Sequence, residues 1–380
     1  MFEGSARMMS NVYFFIGTEA ELIKVFPVII ECMKQGMVCH LIASGQNDLT
    51  KSRIIKELQL NGKFIELSKE SQIKKSAAGL LKWFIGTYRI AEKKIKEHFE
   101  GAELKGAPMV VHGDTVSTFM GARIGKKLGC VVCHVEAGLR SHHLFNPFPE
   151  EIDRLLTSRI ARVHFAPGDE PVKNLKRVKG KVINTRQNTL LDSLRFSENI
   201  PVKSNISDIL EEDYFVFVMH RQENLANKKF VCDVVTEIMK ETEHHKCVII
   251  LHEITKNALE KFGLMDKLAA DPNMILQPRV DYFDFMKLLG HSLFVITDGG
   301  SNQEELFYMN KPCLIMRKTT ERREGLGINA RLFNGEVSDI GRFVQEAGHG
   351  GMSLHGSETK GNPSCVIAEE LRKNMSRGRN

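Results

Sequence analysis

Apolar runs of strand length recur along this chain, each followed by a longer amphipathic segment. NVYFFIG precedes EAELIKVFPVIIECMKQG and then VCHLIAS, and APMVVHGD precedes TVSTFMGARIGKKLG and then CVVCHVEAG. A strand buried on one face alternates apolar and polar side chains, whereas a strand buried on both faces is apolar throughout. Continuous apolar strands separated by helices are therefore the signature of a parallel sheet covered on both sides. After about residue 195 the pattern restarts, with YFVFVMH, KCVIILHE, NMILQP, LFVITDGG and KPCLIMR as a second set. The polar stretch SENIPVKSNISDILEEDY between the two sets reads as a linker. We expect an α/β chain of two doubly wound domains, 1–195 and 196–364, facing across a cleft.

The 380 residues suffice for two such domains, each with its own core. The net charge of +6 is modest and the basic residues are dispersed. Five Tyr and one Trp give little to stack on bases, so small anionic ligands are expected and nucleic acid is not. No run approaches the roughly 20 apolar residues that span a bilayer. The N-terminal MFEGSARMMSNVYFFIGTEAE lacks a signal-peptide core, so a cytoplasmic protein without a membrane partner is expected. The eight scattered cysteines read as reduced, buried thiols. CVVCH, Cys130 to His134, has the spacing of a haem-attachment site. In a strand, however, Cys130 and Cys133 point to opposite faces, and the valines between them favour that strand. It reads as core, with no metal or cofactor expected.

In doubly wound sheets, ligands bind beyond the carboxyl ends of the strands. HGDT, VEAG, MHRQEN and TDGGSNQEE all begin where an apolar run ends. Asp114 in HGDT is either a helix cap or an acid at the mouth of the sheet. Glu136 follows its strand where a plain turn prefers Asn, Asp or Gly. Glu150 and Glu151 open a helix behind Pro149, which alone explains acids there, yet acids converging on one mouth also suit acid–base work. His220 and Arg221 can donate to an anion, and Glu223 can accept from a ribose or sugar hydroxyl. The glycine turn Gly299–Gly300 with Ser301 suits a diphosphate, and Glu305, one turn on, suits ribose hydroxyls. Arg317, Arg322 and Arg323 are read as phosphate partners or as surface charge. The Gly- and Ser-rich EAGHGGMSLHGSETKGNPS reads as a mobile loop, with Ser364 capping a final helix.

HGDT, HVEAGLR, NPFPEEIDR, HFAPG, MHRQEN, DGGSNQEE and KPCLIMRKTTERRE resemble, in order and spacing, the UDP-N-acetylglucosamine 2-epimerase family. The resemblance runs from about residue 14 to the end, and its HVEAGLR and PEEIDR segments are closer to the non-hydrolysing branch. It implies two Rossmann-like domains of glycosyltransferase-B type. The first would carry the catalytic acids and be joined by the C-terminal helix 365–380; the second would bind UDP. It also implies a homodimer, and a reaction that eliminates UDP to 2-acetamidoglucal and adds it back, turning UDP-N-acetylglucosamine into UDP-N-acetylmannosamine for surface polysaccharide precursors. By position the catalytic residues implied are Asp114, Glu136, Glu150 and His220. For the UDP-sugar they are Lys24, Arg140, Arg221, Gly299, Gly300, Ser301, Glu305 and Arg317.

Three motifs depart from the family pattern. GTRPEAIK is here GTEAELIK, which puts Glu19 where an arginine would face the nucleotide; DSGG is DGGS, and HRRE is HRQE. Gln46 matches a glutamine near the site where bacterial members bind a second, activating UDP-N-acetylglucosamine, while the residues after it diverge. The competing readings are a hydrolysing epimerase that releases N-acetylmannosamine and UDP, a glycosyltransferase on the same scaffold, and a non-catalytic UDP-sugar binder.

Overall fold

A computed structural model describes residues 10–69, 77–141, 149–243, 245–320, 323–348 and 361–377. Arg322, the histidines at 142 and 143, and most of the Gly- and Ser-rich loop lie outside these residues. The chain divides into two units, Met1–Ser193 with Gly361–Asn380, and Leu194–Lys360.

In the first unit the strands are β1 (Asn11–Ile16), β2 (Val38–Ala43), β3 (Phe64–Glu66), β4 (Pro108–His112), β5 (Val131–Val135), β6 (Val163–Ala166) and β7 (Lys181–Asn184). They form one parallel sheet in the order β3-β2-β1-β4-β5-β6-β7. The order reverses between β1 and β4, so the loops after these two strands diverge and leave room for a ligand. Tyr13, Phe15, Met109 and Val111 of the two central strands are fully shielded from solvent, which accounts for their unbroken apolar character. The helix Val116–Lys127 lies close on this sheet: a Cβ at Gly121 would sit 2.5 Å from Cδ1 of Phe15. The last helix, Pro363–Arg377, packs against the first, Glu19–Lys34, and so belongs to this unit.

The second unit repeats the plan with β8 (Tyr214–Val218), β9 (Lys246–Leu251), β10 (Met274–Pro278), β11 (Val295–Thr297), β12 (Cys313–Ile315) and β13 (Ala330–Leu332). Their order is β10-β9-β8-β11-β12-β13, again all parallel, with the reversal between β8 and β11. Both units thus have the doubly wound architecture expected of the chain.

One alternative left open by the sequence is decided and one local expectation is corrected. The helix after β4 is capped by Thr115, whose side chain accepts from the amide of Thr118, so Asp114 is not the cap and its carboxylate is left for other partners. The last helix begins at Pro363, and Asn362, not Ser364, accepts from the amide of Cys365 at 2.8 Å. Proline is favoured as the first helical residue because its missing N–H is not needed there, which moves the cap one position before it. Within the expected linker, residues Ser207–Leu210 form a short helical turn beside fully buried Ile206. Cys133 lies on β5 and Cys130 just before it, both buried and without a disulfide, and burial pushes the Cys130 thiol up to about 12. Among the described residues no helix is long and apolar enough to cross a membrane, and no group of His, Cys, Asp and Glu is arranged to hold a metal ion.

Candidate active site

In the first unit the ends of β1, β4 and β5 bring their charged residues together. Glu136, the first residue beyond β5, has φ of 61°, a left-handed conformation that a side chain with a Cβ rarely adopts. Held this way, its Oε1 accepts from Lys24 Nζ at 2.6 Å and from Asn188 Nδ2 at 2.5 Å. On its other side, Oε2 lies 3.5 Å from Nε2 of His112. His112 is buried, and burial lowers its pKa to about 4, a shift that nearby Lys24 reinforces and Glu136 opposes. Among the described residues neither ring nitrogen of His112 has a hydrogen-bond partner. A neutral imidazole thus stands beside the Lys24–Glu136 ion pair.

Glu21 is buried at the β1 turn, where it accepts from Thr115 Oγ1, from the Gly17 amide at 2.5 Å and from the Thr18 amide at 3.2 Å. Burial raises its pKa to about 7 against those hydrogen bonds. It ties the turn after β1 to the start of the helix after β4, and that tie fixes the helix carrying Lys24. Glu19, at the first turn of the same helix, is partly exposed, and its amide donates to Asn47 Oδ1 at 3.3 Å. Gln46 Oε1 accepts from Ser117 Oγ at 2.6 Å.

A second group forms around the helix Glu150–Ile160. Glu151 is wholly buried; it accepts from Arg140 Nε, from the Ser141 amide at 3.0 Å and from Arg154 NH1 at 3.3 Å. Burial alone would raise its pKa, but these donors outweigh burial and hold it below the usual value. Arg154 also pairs through NH2 with Asp114. Arg140, expected to hold substrate, is therefore engaged by Glu151, and Lys24 by Glu136. Glu150 leaves Oε2 buried without a hydrogen-bond partner among the described residues.

Sequence reasoning gave no role to Asp153, Asn188 or Arg154. Asp153 is buried with Oδ2 unpartnered among the described residues, and burial, followed by the charges of Glu150 and Asp114, raises its pKa to about 7. Its unfolded pKa is near 3.8, so folding favours the protonated form and its penalty grows as pH rises between those two values. Asp153→Asn is accordingly expected to raise the melting midpoint by an amount that is small near pH 4, increases up to about pH 7 and then levels off. Paired thermal melts across that range check it; a gain independent of pH excludes Asp153 titration as the cause.

In the second unit one buried carboxylate organises the site. Asp298, directly after β11, accepts the His220 amide at 2.9 Å on Oδ1, and the Arg221 amide and Asn224 Nδ2, each at 3.0 Å, on Oδ2. It thereby clamps the end of β8 to the end of β11, across the point where the strand order reverses. His220 Nδ1 lies 3.4 Å from Asp298 Oδ1, and its ring packs 4.8 Å from that of His252. Burial lowers the pKa of His252 to about 4, with the charges of His220 and Arg279 acting in the same direction. Gly299 caps the helix Gly300–Tyr308; a Cβ there would lie 3.0 Å from Cε1 of His220 and 2.5 Å from Oδ1 of Asn302, so the turn can approach the imidazole only without a side chain. Ser301 is exposed at the first turn, where the amides of a helix N-terminus suit an anion. Glu305 is buried, its Oε2 accepting from Asn302 Nδ2 at 2.9 Å. Arg221 pairs with Glu223 at 2.6 Å, and Arg317 lies just past β12, partly exposed.

The match to known proteins settles the family. Residues 34–350 fit the model of the UDP-N-acetylglucosamine 2-epimerase family. The chain belongs to it. As a sugar-nucleotide 2-epimerase it falls among the isomerases. It is 32% identical over 336 residues to the UDP-N-acetylglucosamine 2-epimerase of Methanocaldococcus jannaschii, covering 84% of this chain and 87% of that one. It is also 30% identical over 307 residues, 76% of this chain and 81% of the relative, to the UDP-2,3-diacetamido-2,3-dideoxy-D-glucuronate 2-epimerase of Pseudomonas aeruginosa. The crystal structure of the M. jannaschii enzyme in complex with UDP-GlcNAc and UDP is similar with a TM-score of 0.73 and 26% identity, over 96% of this chain and 99% of that one.

Proposed function

We propose that this chain interconverts UDP-N-acetylglucosamine and UDP-N-acetylmannosamine as a non-hydrolysing 2-epimerase that feeds surface polysaccharide synthesis. A carboxylate removes the proton at C2 while the bond from C1 to the UDP oxygen breaks, leaving 2-acetamidoglucal and UDP. The UDP oxygen then adds back to C1 and a proton is delivered to the other face of C2, so nothing is gained or lost. The weakly acidic C2 proton calls for a placed base and a stabilised leaving diphosphate.

The observation that carries this reading is Glu136, held in a costly backbone conformation against Lys24, Asn188 and a His112 that has no hydrogen-bond partner among the described residues. Strain of that kind persists where the surrounding structure imposes it, and it clusters at reacting centres. Asp114 and Glu150 supply the further carboxyl groups that a two-faced proton transfer needs. His220 with the Gly299–Ser301 turn receives the diphosphate, and Glu305 the ribose. Because the Pseudomonas relative is named for a different sugar, substituents at C3 and C5 are the first variables after N-acetylglucosamine itself. The free, largely buried thiols support a cytoplasmic setting, and the family resemblance supports a homodimer.

The test is incubation with UDP-N-acetylglucosamine in deuterated water, followed by NMR of the anomeric and C2 protons. UDP-N-acetylmannosamine carrying deuterium at C2 is expected. Free N-acetylmannosamine with UDP instead moves the chain to the hydrolysing reaction, and an unchanged spectrum rules out this substrate.

A further inference from the structure

A cavity of about 290 Å³ opens in the first unit beside the helix Glu150–Ile160, bounded by residues 138–140 and 174–179. Arg140, Arg154, Arg159, Arg177 and Lys179 line it, and among the described residues no carboxylate does. Glu151 and Asp114 neutralise Arg140 and Arg154 from outside the cavity. Among the described residues, Arg159, Arg177 and Lys179 make no ion pair. Asn174 shapes the wall by donating to the Gly138 carbonyl at 2.9 Å.

We propose that this cavity, which adjoins the candidate active site through Arg154, is an anion site for a small phosphorylated ligand of the size of inorganic diphosphate. A concavity lined by charges of one sign focuses the field and concentrates counter-ions, and guanidinium groups match phosphate oxygens two at a time. Volume decides the size of the ligand. Pockets for drug-sized molecules run from about 300 to 1,000 Å³, so this one stands at the bottom of that range and suits a ligand of few atoms. Arg154 lines the cavity and also pairs with Asp114, so a ligand here competes for the cation that compensates a proposed catalytic acid. The site stands whether or not the sugar nucleotide is the one proposed above.

The full chain is titrated calorimetrically with inorganic pyrophosphate, with UDP at saturation so that a diphosphate seat at the helix Gly300–Tyr308 is already filled. Pyrophosphate is expected to bind in the presence of UDP, more weakly as salt is raised. The double variant Arg159→Ala/Arg177→Ala is expected to lose about tenfold or more in affinity with its melting midpoint unchanged, since both residues are exposed. Absence of binding at millimolar pyrophosphate, its abolition by UDP, or equal affinity in the double variant each overturns the proposal.

Discussion

Glu136→Gln is expected to lower turnover by about 10²–10⁴-fold, the range for losing a positioned general acid or base, while UDP affinity stays within about threefold of wild type. The amide keeps the size and one hydrogen-bond acceptor, so the left-handed turn and the contact with Asn188 can persist. What disappears is the proton acceptor and the charge opposite Lys24. The two readouts separate the explanations. If turnover falls and UDP binding survives, the residue acts on the reacting sugar; if both fall together, it shapes the fold. Asp114→Asn serves as the companion, because Asp114 is tied to Arg154 rather than to Lys24. Near wild-type turnover in both variants would remove the proposed chemistry from this unit altogether.

Much of this site was legible because strand ends are legible. Unbroken apolar runs located β1, β2, β4, β5 and β8 to β12, and the residue following each run falls where a doubly wound sheet leaves room for ligand. The strands that escaped notice are short: β3 and β13 have three residues each at sheet edges, β6, Val163–Ala166, has four, and β7, Lys181–Asn184, is an edge strand partly exposed along its length. An edge strand needs no continuous apolar run, so it leaves no such trace. The partners of the acids were less visible than the acids. Asn188 reaches Glu136 from 52 positions away, and no local pattern encodes that contact. Asp153 shares the first turn of its helix with Glu150 and Glu151, where acids have an ordinary explanation in the helix dipole. What separates it from the equally buried Glu151 is an Oδ2 without a hydrogen-bond partner among the described residues. Arg140, for which the family resemblance implies a substrate contact, pairs with the buried Glu151, a partner that no local pattern announces.

The same reasoning assigns the larger structural role in the second unit to Asp298, which carries no proposed chemistry. Its two oxygens face only donors: the amides of His220 and Arg221 and the side-chain amide of Asn224. Asp298→Asn replaces one oxygen by an NH₂ group, and whichever way that amide sits, at least one N–H then faces another N–H in a buried site. An unsatisfied buried donor costs about 1–3 kcal/mol, more where a charged acceptor has been lost, so the melting midpoint should fall by several degrees. The loss should not stop at stability. The clamp sets the position of His220 against Gly299, where a Cβ would lie only 3.0 Å from the imidazole Cε1, so UDP affinity is expected to weaken by about tenfold or more, a cost of about 1.4 kcal/mol. Thermal melts and UDP titration on the same preparation test both effects. A destabilised variant that still binds UDP normally would leave Asp298 as a fold residue and detach His220 from the nucleotide.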